Sequence, residues 1–508
     1  SVNSWRFGSL KYYTPDHYAL GYMLLSTARY KTGNYALAGD ILTKIVKWFY
    51  IVDNKDYVYK RVVGFMPRKL MVETDSLMTK LWREELIDEK PSDSELKIVS
   101  GTATKSRSDY FTRYTSITAS ALSGRGYPDT LYAVKSSYNK PSVLVRVLYY
   151  GDNKSIEETI RPFSSALVGR LQYGNGKLFW CETINDIRWG HRSFNTLFSY
   201  DVDSGRIAKL SRNKSYNNPS LSATGDTVVV SEYYIKGGSS VVLLRSSDGA
   251  QILSVPAPSD GQAVDCDLSR GILYATVITD AGIGLYSRAI YGGEWSSIIA
   301  PQRANIRDLI CDNSHGHSPK LYFTADAGGI DNLYCYDIAR SGVYKITKHK
   351  FGLNMPLAVN GRLFCIEPGI NSNNIVTIKK ADFCEEDYCN KSVLIANKVV
   401  TKPNYPIAES LSEQIKAIGN TDCDSVEMPS SRPYNKLSNL FRIHSWAPVY
   451  YNVDKLSQMS YDNFYEVVGI GGTIYSQNTL GTAITMLGYS YREGGSNDKG
   501  VHAGHFKF

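Results

Sequence analysis

Neither a His-Glu dipeptide nor a Gly-x-Ser-x-Gly pentapeptide occurs anywhere in the 508 residues. The first absence removes the zinc-peptidase motif, in which two imidazoles on one helix face hold the metal and a glutamate activates water. The second removes the strained serine elbow of the α/β-hydrolases. No run of 18 apolar residues offers a membrane-spanning helix, and neither an initiator Met nor a signal peptide opens the chain. Basic residues form no dense block, and no zinc-finger or RNA-recognition motif accompanies them. The formal charge of +8 therefore points to no nucleic-acid partner.

Cysteine is sparse and uneven. Of Cys181, Cys266, Cys311, Cys335, Cys365, Cys384, Cys389 and Cys423, four fall in or beside apolar strands, where a thiol behaves as a small buried hydrophobe. Cys384 and Cys389 flank a polar loop with Cys423 downstream, a spacing that admits a local disulfide in an oxidising compartment. Zinc would need a second close pair, which is missing. Tyrosine is the abundant type, 38 against 16 Phe. An apolar ring with a polar tip suits half-buried strand surfaces and membrane-interface belts.

What is present is a repeat. Apolar tetrapeptides begin at Leu131, Leu178, Val228, Leu273, Leu321 and Leu363, spaced 47, 50, 45, 48 and 42 residues apart. A second set of strands follows, from Val143, Leu197, Val241, Leu285, Leu333 and Ile375. Asp- and Gly-bearing turns follow several of the second strands, at 201–205, 247–249 and 337–342. A period of this length marks a β-propeller of six blades, none able to bury its faces alone. The missing serine elbow argues against a prolyl-oligopeptidase-type enzyme, which couples a propeller to a hydrolase domain.

The flanks differ from the middle. Residues 1–90 read as helical, with Tyr18, Tyr22, Leu25 and Ala28 at helical spacing, Gly33 as a stop and Asn34 as the cap of a second helix. Residues 91–109 form a polar linker, 110–400 the propeller and 401–431 a second linker. From 432 to 508 the strands are long, alternating and rich in Gly and Tyr, as in outer-membrane barrels. Such barrels need 8 or more strands, so the chain is expected to be a segment of a larger one. The fold class is mainly β: a six-bladed propeller after a small helical region and before the first strands of a transmembrane-type barrel.

The fifth repeat, residues 321–334, resembles the blade motif of TolB-like, WD40-like propellers. Residues 433–437, 440–448 and 476–481 look like the junction in a family of Gram-negative outer-membrane proteins that join such a propeller to a carboxy-terminal barrel. In that family a gluzincin-like peptidase region often precedes the propeller, and residues 18–22 and 75–82 resemble its last helices. The departure is the missing His-Glu pair, so no catalytic residue is carried over; an active zinc site would lie upstream of Ser1.

Several residue groups invite a functional reading. Arg188, Trp189, His191 and Arg192 fill the long insertion of blade two and are candidate partner contacts. His315 and His317, near Cys311 and Asp312, are metal-ligand types, but two apart in a turn they lack fixed geometry. Asp326 and Asp331, around Gly328 and Gly329, are either calcium ligands or hairpin formers. His444 and Ser445 suggest a hydrolase pair without a third member. Trp446, Tyr450 and Tyr451 suit an aromatic girdle at a membrane boundary. No catalytic residue, metal ligand or cofactor is assigned.

The leading expectation is a non-catalytic binding or assembly module of the bacterial cell envelope. Its propeller would meet a protein or envelope component, and its last strands would anchor it in the outer membrane. Part of a zinc peptidase and a glycan- or peptide-binding propeller for nutrient capture are the alternatives.

Overall fold

A computed structural model describes residues 8–14, 16–34, 36–48, 54–89, 96–101, 109–120, 129–151, 154–164, 167–258, 261–312, 319–327, 329–379, 386–387, 433–452, 455, 460, 464–493 and 499–508. Two compact units emerge, mainly residues 3–15 with 82–404, and residues 16–81 with 405–508.

Among the described residues four helices precede the sheets: α1 (His17–Thr32), α2 (Leu37–Lys47), α3 (Asn54–Val63) and α4 (Pro67–Glu89). Asp16 caps α1, its Oδ1 accepting the backbone N–H of Tyr18 and Ala19 at 3.0 and 2.8 Å. Gly33 ends it in the left-handed region at φ 65°. The expected apolar face of α1 is only partly right. Ala28 is buried with Ser26 and Thr27, whereas Tyr18 and Tyr22 are exposed. Small side chains, not rings, form the packed face, joining Leu37, Ile41, Val58, Val63 and Leu70 in one core. Asn34 also falls short of its expected role: it lies three residues before α2 begins, its Oδ1 accepting from Ala36 N at 3.0 Å, and Ala36 is the N-cap.

Strand β1 (Lys97–Ser100) leads into the repeats. Blade one comprises β2 (Thr112–Ala119), β3 (Asp129–Ser137), β4 (Lys140–Gly151) and β5 (Lys154–Pro162). Blade two has β6 (Leu167–Gly174), β7 (Lys177–Asn185), β8 (Ser193–Asp201) and β9 (Ile207–Lys209). Blade three has β10 (Tyr216–Leu221), β11 (Thr227–Tyr233), β12 (Ser239–Arg245) and β13 (Gln251–Pro256). Blade four has β14 (Gln262–Ser269), β15 (Ile272–Thr279), β16 (Gly282–Ala289) and β17 (Ser296–Gln302). Blade five has β18 (Arg307–Asp312), β19 (Lys320–Ala325), β20 (Asn332–Asp337) and β21 (Gly342–Lys345). Blade six has β22 (Asn354–Val359), β23 (Arg362–Glu367) and β24 (Ser372–Lys379).

Consecutive strands pair antiparallel within each blade. Among the described residues blade six has no fourth strand of its own, and β1 pairs antiparallel with β24 in that place. After blade six, β25 (Glu386–Asp387) adds to the outer edge of β21. The innermost strands meet in a cycle: β2 with β6, β6 with β10, β10 with β14, β14 with β18, β18 with β22, and β22 with β2. An apolar core lies at every junction, including that of blades six and one, where Val99, Tyr114, Leu131, Val145, Phe364 and Ile375 pack together. This closed cycle is the arrangement of a six-bladed propeller.

The tetrapeptides read from the sequence are the second and third strands of each blade. Sandwiched between neighbouring blades, they are buried on both faces and so read as continuous apolar runs. Cys181, Cys335 and Cys365 are buried among these strands and Cys266 on the innermost strand β14, with Cys311 half-buried. Cys384, Cys389 and Cys423 lie outside the described residues.

In the tail, β26 (Ile443–Tyr451), the short helix α5 (Phe464–Val467), β27 (Val468–Gln477), β28 (Ile484–Arg492) and β29 (Val501–Lys507) follow in order. The four strands form one antiparallel sheet. It is open: among the described residues β26 and β29 do not pair with each other.

Candidate functional site: the channel and the loop-bearing face

Every innermost strand carries a register break, at 115–118, 168–172, 217–220, 263–266, 307–310 and 354–357. Five of these bulges hold a residue at positive φ: Ser116, Gly169, Asn218, Asp308 and Met355. A bulge turns backbone groups out of the ladder and toward the axis. Side-chain and backbone groups of the bulges then bond from blade to blade. Ser116 Oγ donates to the Gly169 carbonyl at 3.0 Å and Asn218 Nδ2 to the Val264 carbonyl at 3.0 Å. The Asp308 N–H donates to Asp265 Oδ2 at 2.8 Å, and the Met355 N–H to Asp308 Oδ2 at 3.2 Å.

Arg170 completes this centre. From blade two its Nε donates to the Pro219 carbonyl of blade three at 3.0 Å, and its Nη2 to the Cys266 carbonyl of blade four at 2.5 Å. Its Nη1 donates to the Leu309 carbonyl of blade five. In a ring of six, blade five stands opposite blade two, so the guanidinium lies across the axis and obstructs the channel at that level. Buried Asp265 and Asp267 face the same charge. Burial pushes both carboxyls above the ordinary carboxylate range, and the Arg170 cation opposes it.

A cavity of about 900 Å³ opens at the seam of blades six and one, lined among others by Ser100, Tyr110, Tyr114, Lys135 and Glu157. Glu157 accepts from Lys135 Nζ, from Tyr114 Oη at 2.6 Å and from Ser100 Oγ at 2.7 Å. Burial alone would raise its carboxyl, yet these donors outweigh it and the net direction is downward. The cluster is internally satisfied and reads as a polar clasp between β1 and blade one.

The two ends of the propeller differ. At one end the first-to-second strand connections include the two-residue turns Asn175-Gly176, Arg270-Gly271 and Asn360-Gly361, both residues at positive φ in each. These are the tight hairpins that asparagine and glycine favour. At the other end, second-to-third strand loops and blade-to-blade connections carry exposed apolar side chains. Ile187 and Trp189 protrude from blade two, Tyr234 and Ile235 from blade three, and Ile370 from blade six; Phe351 stands on the connection from blade five to six.

The blade-two insertion expected to make contacts belongs to this end. Asp186 Oδ1 accepts the N–H groups of Arg188 and Trp189 at 2.8 and 3.1 Å. Arg192 N donates to the Trp189 carbonyl at 2.8 Å. The backbone bond from Arg188, then that from Trp189, with Arg192 nearby, hold the Asp186 carboxyl below its ordinary value. The loop is therefore built, with Arg188 over the Trp189 ring at 5.0 Å, Arg192 over Phe194 at 4.8 Å, and His191 exposed.

Other residues singled out earlier are dispersed. His315, His317 and Gly328 lie outside the described residues. Asp331 is engaged by Arg307 through two bonds, at 3.0 and 2.5 Å, and Asp326 accepts Asn305 N at 2.7 Å. Both carboxylates thus tie the blade-five loop to neighbouring backbone and side chains, beyond simple hairpin geometry. His444 Nδ1 and Ser445 Oγ are 2.9 Å apart on an exposed strand. In the tail sheet, Trp446, Ile474, Leu487 and Phe506 share one cross-strand row and are all exposed. Tyr450 is on the opposite face, buried, with its ring stacked on His505 at 4.0 Å and a Cβ at Gly488 excluded by it. Tyr451 is half-buried against Tyr475. Arg170 belongs to no motif: a lone arginine between ordinary strand residues has no sequence signature.

No family model and no curated protein matches this chain. Several solved structures do. A puromycin-hydrolysing peptidase of Mycobacterium tuberculosis is similar at 14% identity over 58% of this chain and 47% of that one, TM-score 0.37. The β-propeller domain of the trilobed protease from Pyrococcus furiosus is similar at 8% identity over 77% and 97%, TM-score 0.32. A chain of a nidogen/laminin complex is similar at 14% identity over 48% and 89%, TM-score 0.35. The chain spans about half the length of that first peptidase. The assignment of six blades rests on the closed ring of strands itself.

Proposed function

We propose that this chain is a binding module of a bacterial cell envelope, related to TolB-like propeller proteins of the outer membrane. Its propeller meets a protein or envelope component through the loop-bearing end. The observation that carries this reading is the contrast between the two ends around an obstructed axis. Arg170 leaves no clear passage at its level, and Ile187, Trp189, Ile235, Phe351 and Ile370 protrude together on one end, while the opposite end shows Tyr150 and Tyr291. Large exposed apolar side chains gathered on one surface mark interaction sites. The exposed row Trp446, Ile474, Leu487 and Phe506 supports reading the tail sheet as barrel strands whose apolar side meets lipid.

A photo-crosslinking residue at position 189, compared with one at position 291 on the opposite end, tests the binding face in the native envelope. Adducts at 189 that are absent at 291 are expected. Equal adducts at both positions, or none at either, would remove the proposal.

A further inference from the structure

We propose that the loop-bearing end of the propeller docks on an anionic lipid bilayer, seating its apolar loop tips among the headgroups. This rests on the reading of that end as the binding face. The tips are spread around the ring and not gathered in a groove. Ile187 and Trp189 come from blade two, Ile235 from blade three, Phe351 from the blade-five connection and Ile370 from blade six. Their relative exposures are 106%, 57%, 80%, 60% and 68%. Projections distributed over one end of a disc address a flat surface, whereas a peptide segment would meet only a neighbouring pair.

Charge selects the surface. Arg188, Lys236 and Lys350 are exposed cations beside the apolar tips. Among the described residues no carboxylate forms an ion pair with any of the three. The nearest acid in the blade-two loop, Asp186, is occupied by two backbone N–H groups. Arg188 rides on the Trp189 ring at 5.0 Å, and Lys350 on Phe351 at 4.9 Å. Cation and ring thus share one depth, which is the chemistry of an interface carrying anionic headgroups over acyl chains. Each cation near such a surface strengthens binding by about fivefold.

The 508-residue protein is sedimented with vesicles of phosphatidylcholine alone and of phosphatidylcholine mixed with phosphatidylglycerol. Binding to the mixed vesicles, weakened by salt, is expected. Arg188→Ser with Lys236→Ser should weaken it by about 25-fold, and Ile187→Ser with Ile235→Ser by about tenfold or more. Tyr291→Ser, on the opposite end, should leave it unchanged. These positions are exposed, and unchanged melting curves would confirm that the variants fold. Vesicle binding that ignores the tip substitutions overturns the proposal and points to another surface, such as the tail sheet. Absence of vesicle binding also overturns it; crosslinks from position 189 to a protein would then keep the binding-face reading alone.

Discussion

Arg170 shows how one side chain organises the centre of the ring. It draws together carbonyls from blades three, four and five and faces Asp265 and Asp267, both buried. Charge-assisted bonds of this kind are costly to break from one side, since the partner charge stays buried. Arg170→Met is expected to lower stability by about 3 kcal/mol. The pH dependence has a definite sign. The folded pKa of Asp265 and Asp267 is raised, chiefly by burial, so their contribution is fully present below the unfolded carboxylate value of about 4 and is lost as pH rises through the folded value. Removing the opposing cation raises them further. The Arg170→Met penalty, measured by urea denaturation, should therefore shrink as pH falls toward 4; a penalty independent of pH would show that only hydrogen bonds were lost.

At the scale of elements, the closing strand is the informative one. Blade six is completed by β1, which enters the chain before blade one. Val99, 2% exposed, lies in the apolar core at the seam. Val99→Asp would bury an unpaired carboxylate there, with an expected loss of about 3 kcal/mol. Lys97→Asp on the same strand, at a half-buried position, should cost far less. Chemical denaturation of the two variants checks this, and a Val99→Asp protein as stable as the parent would mean that β1 does not hold the ring. The pattern of legibility follows the same elements. Second and third strands were readable as apolar runs. The innermost strands hide their role because their inward residues, such as Asn217, Asp265 and Asp308, are polar and their bulges break the period. The outermost strand β9 is short and exposed, and leaves hardly any pattern.

For the whole molecule, closure makes the six blades one cooperative body. An open array of repeats holds together by neighbour contacts alone, whereas a ring adds one more junction and leaves neither end repeat uncovered. Here that junction is the core shared by blades six and one, with two parallel pairs, Thr112 with Ser372 and Arg113 with Asn373, beside it. A fragment of residues 96–390 is accordingly expected to fold by itself and to melt in a single transition by calorimetry. Separate transitions for subsets of blades would show that the ring does not act as a unit.

The sequence by itself determined that there are six repeats, where their two middle strands run, and that the flanks differ in kind. Hydrophobic periodicity is a local property, and strands buried on both faces cannot avoid displaying it. Only the tertiary structure decided that β1 completes blade six, that Arg170 lies across the axis, and that the blade-two loop shares an end with Ile235 and Phe351. Those facts depend on contacts between residues far apart in the chain, formed by closure of the ring, and no local pattern encodes them.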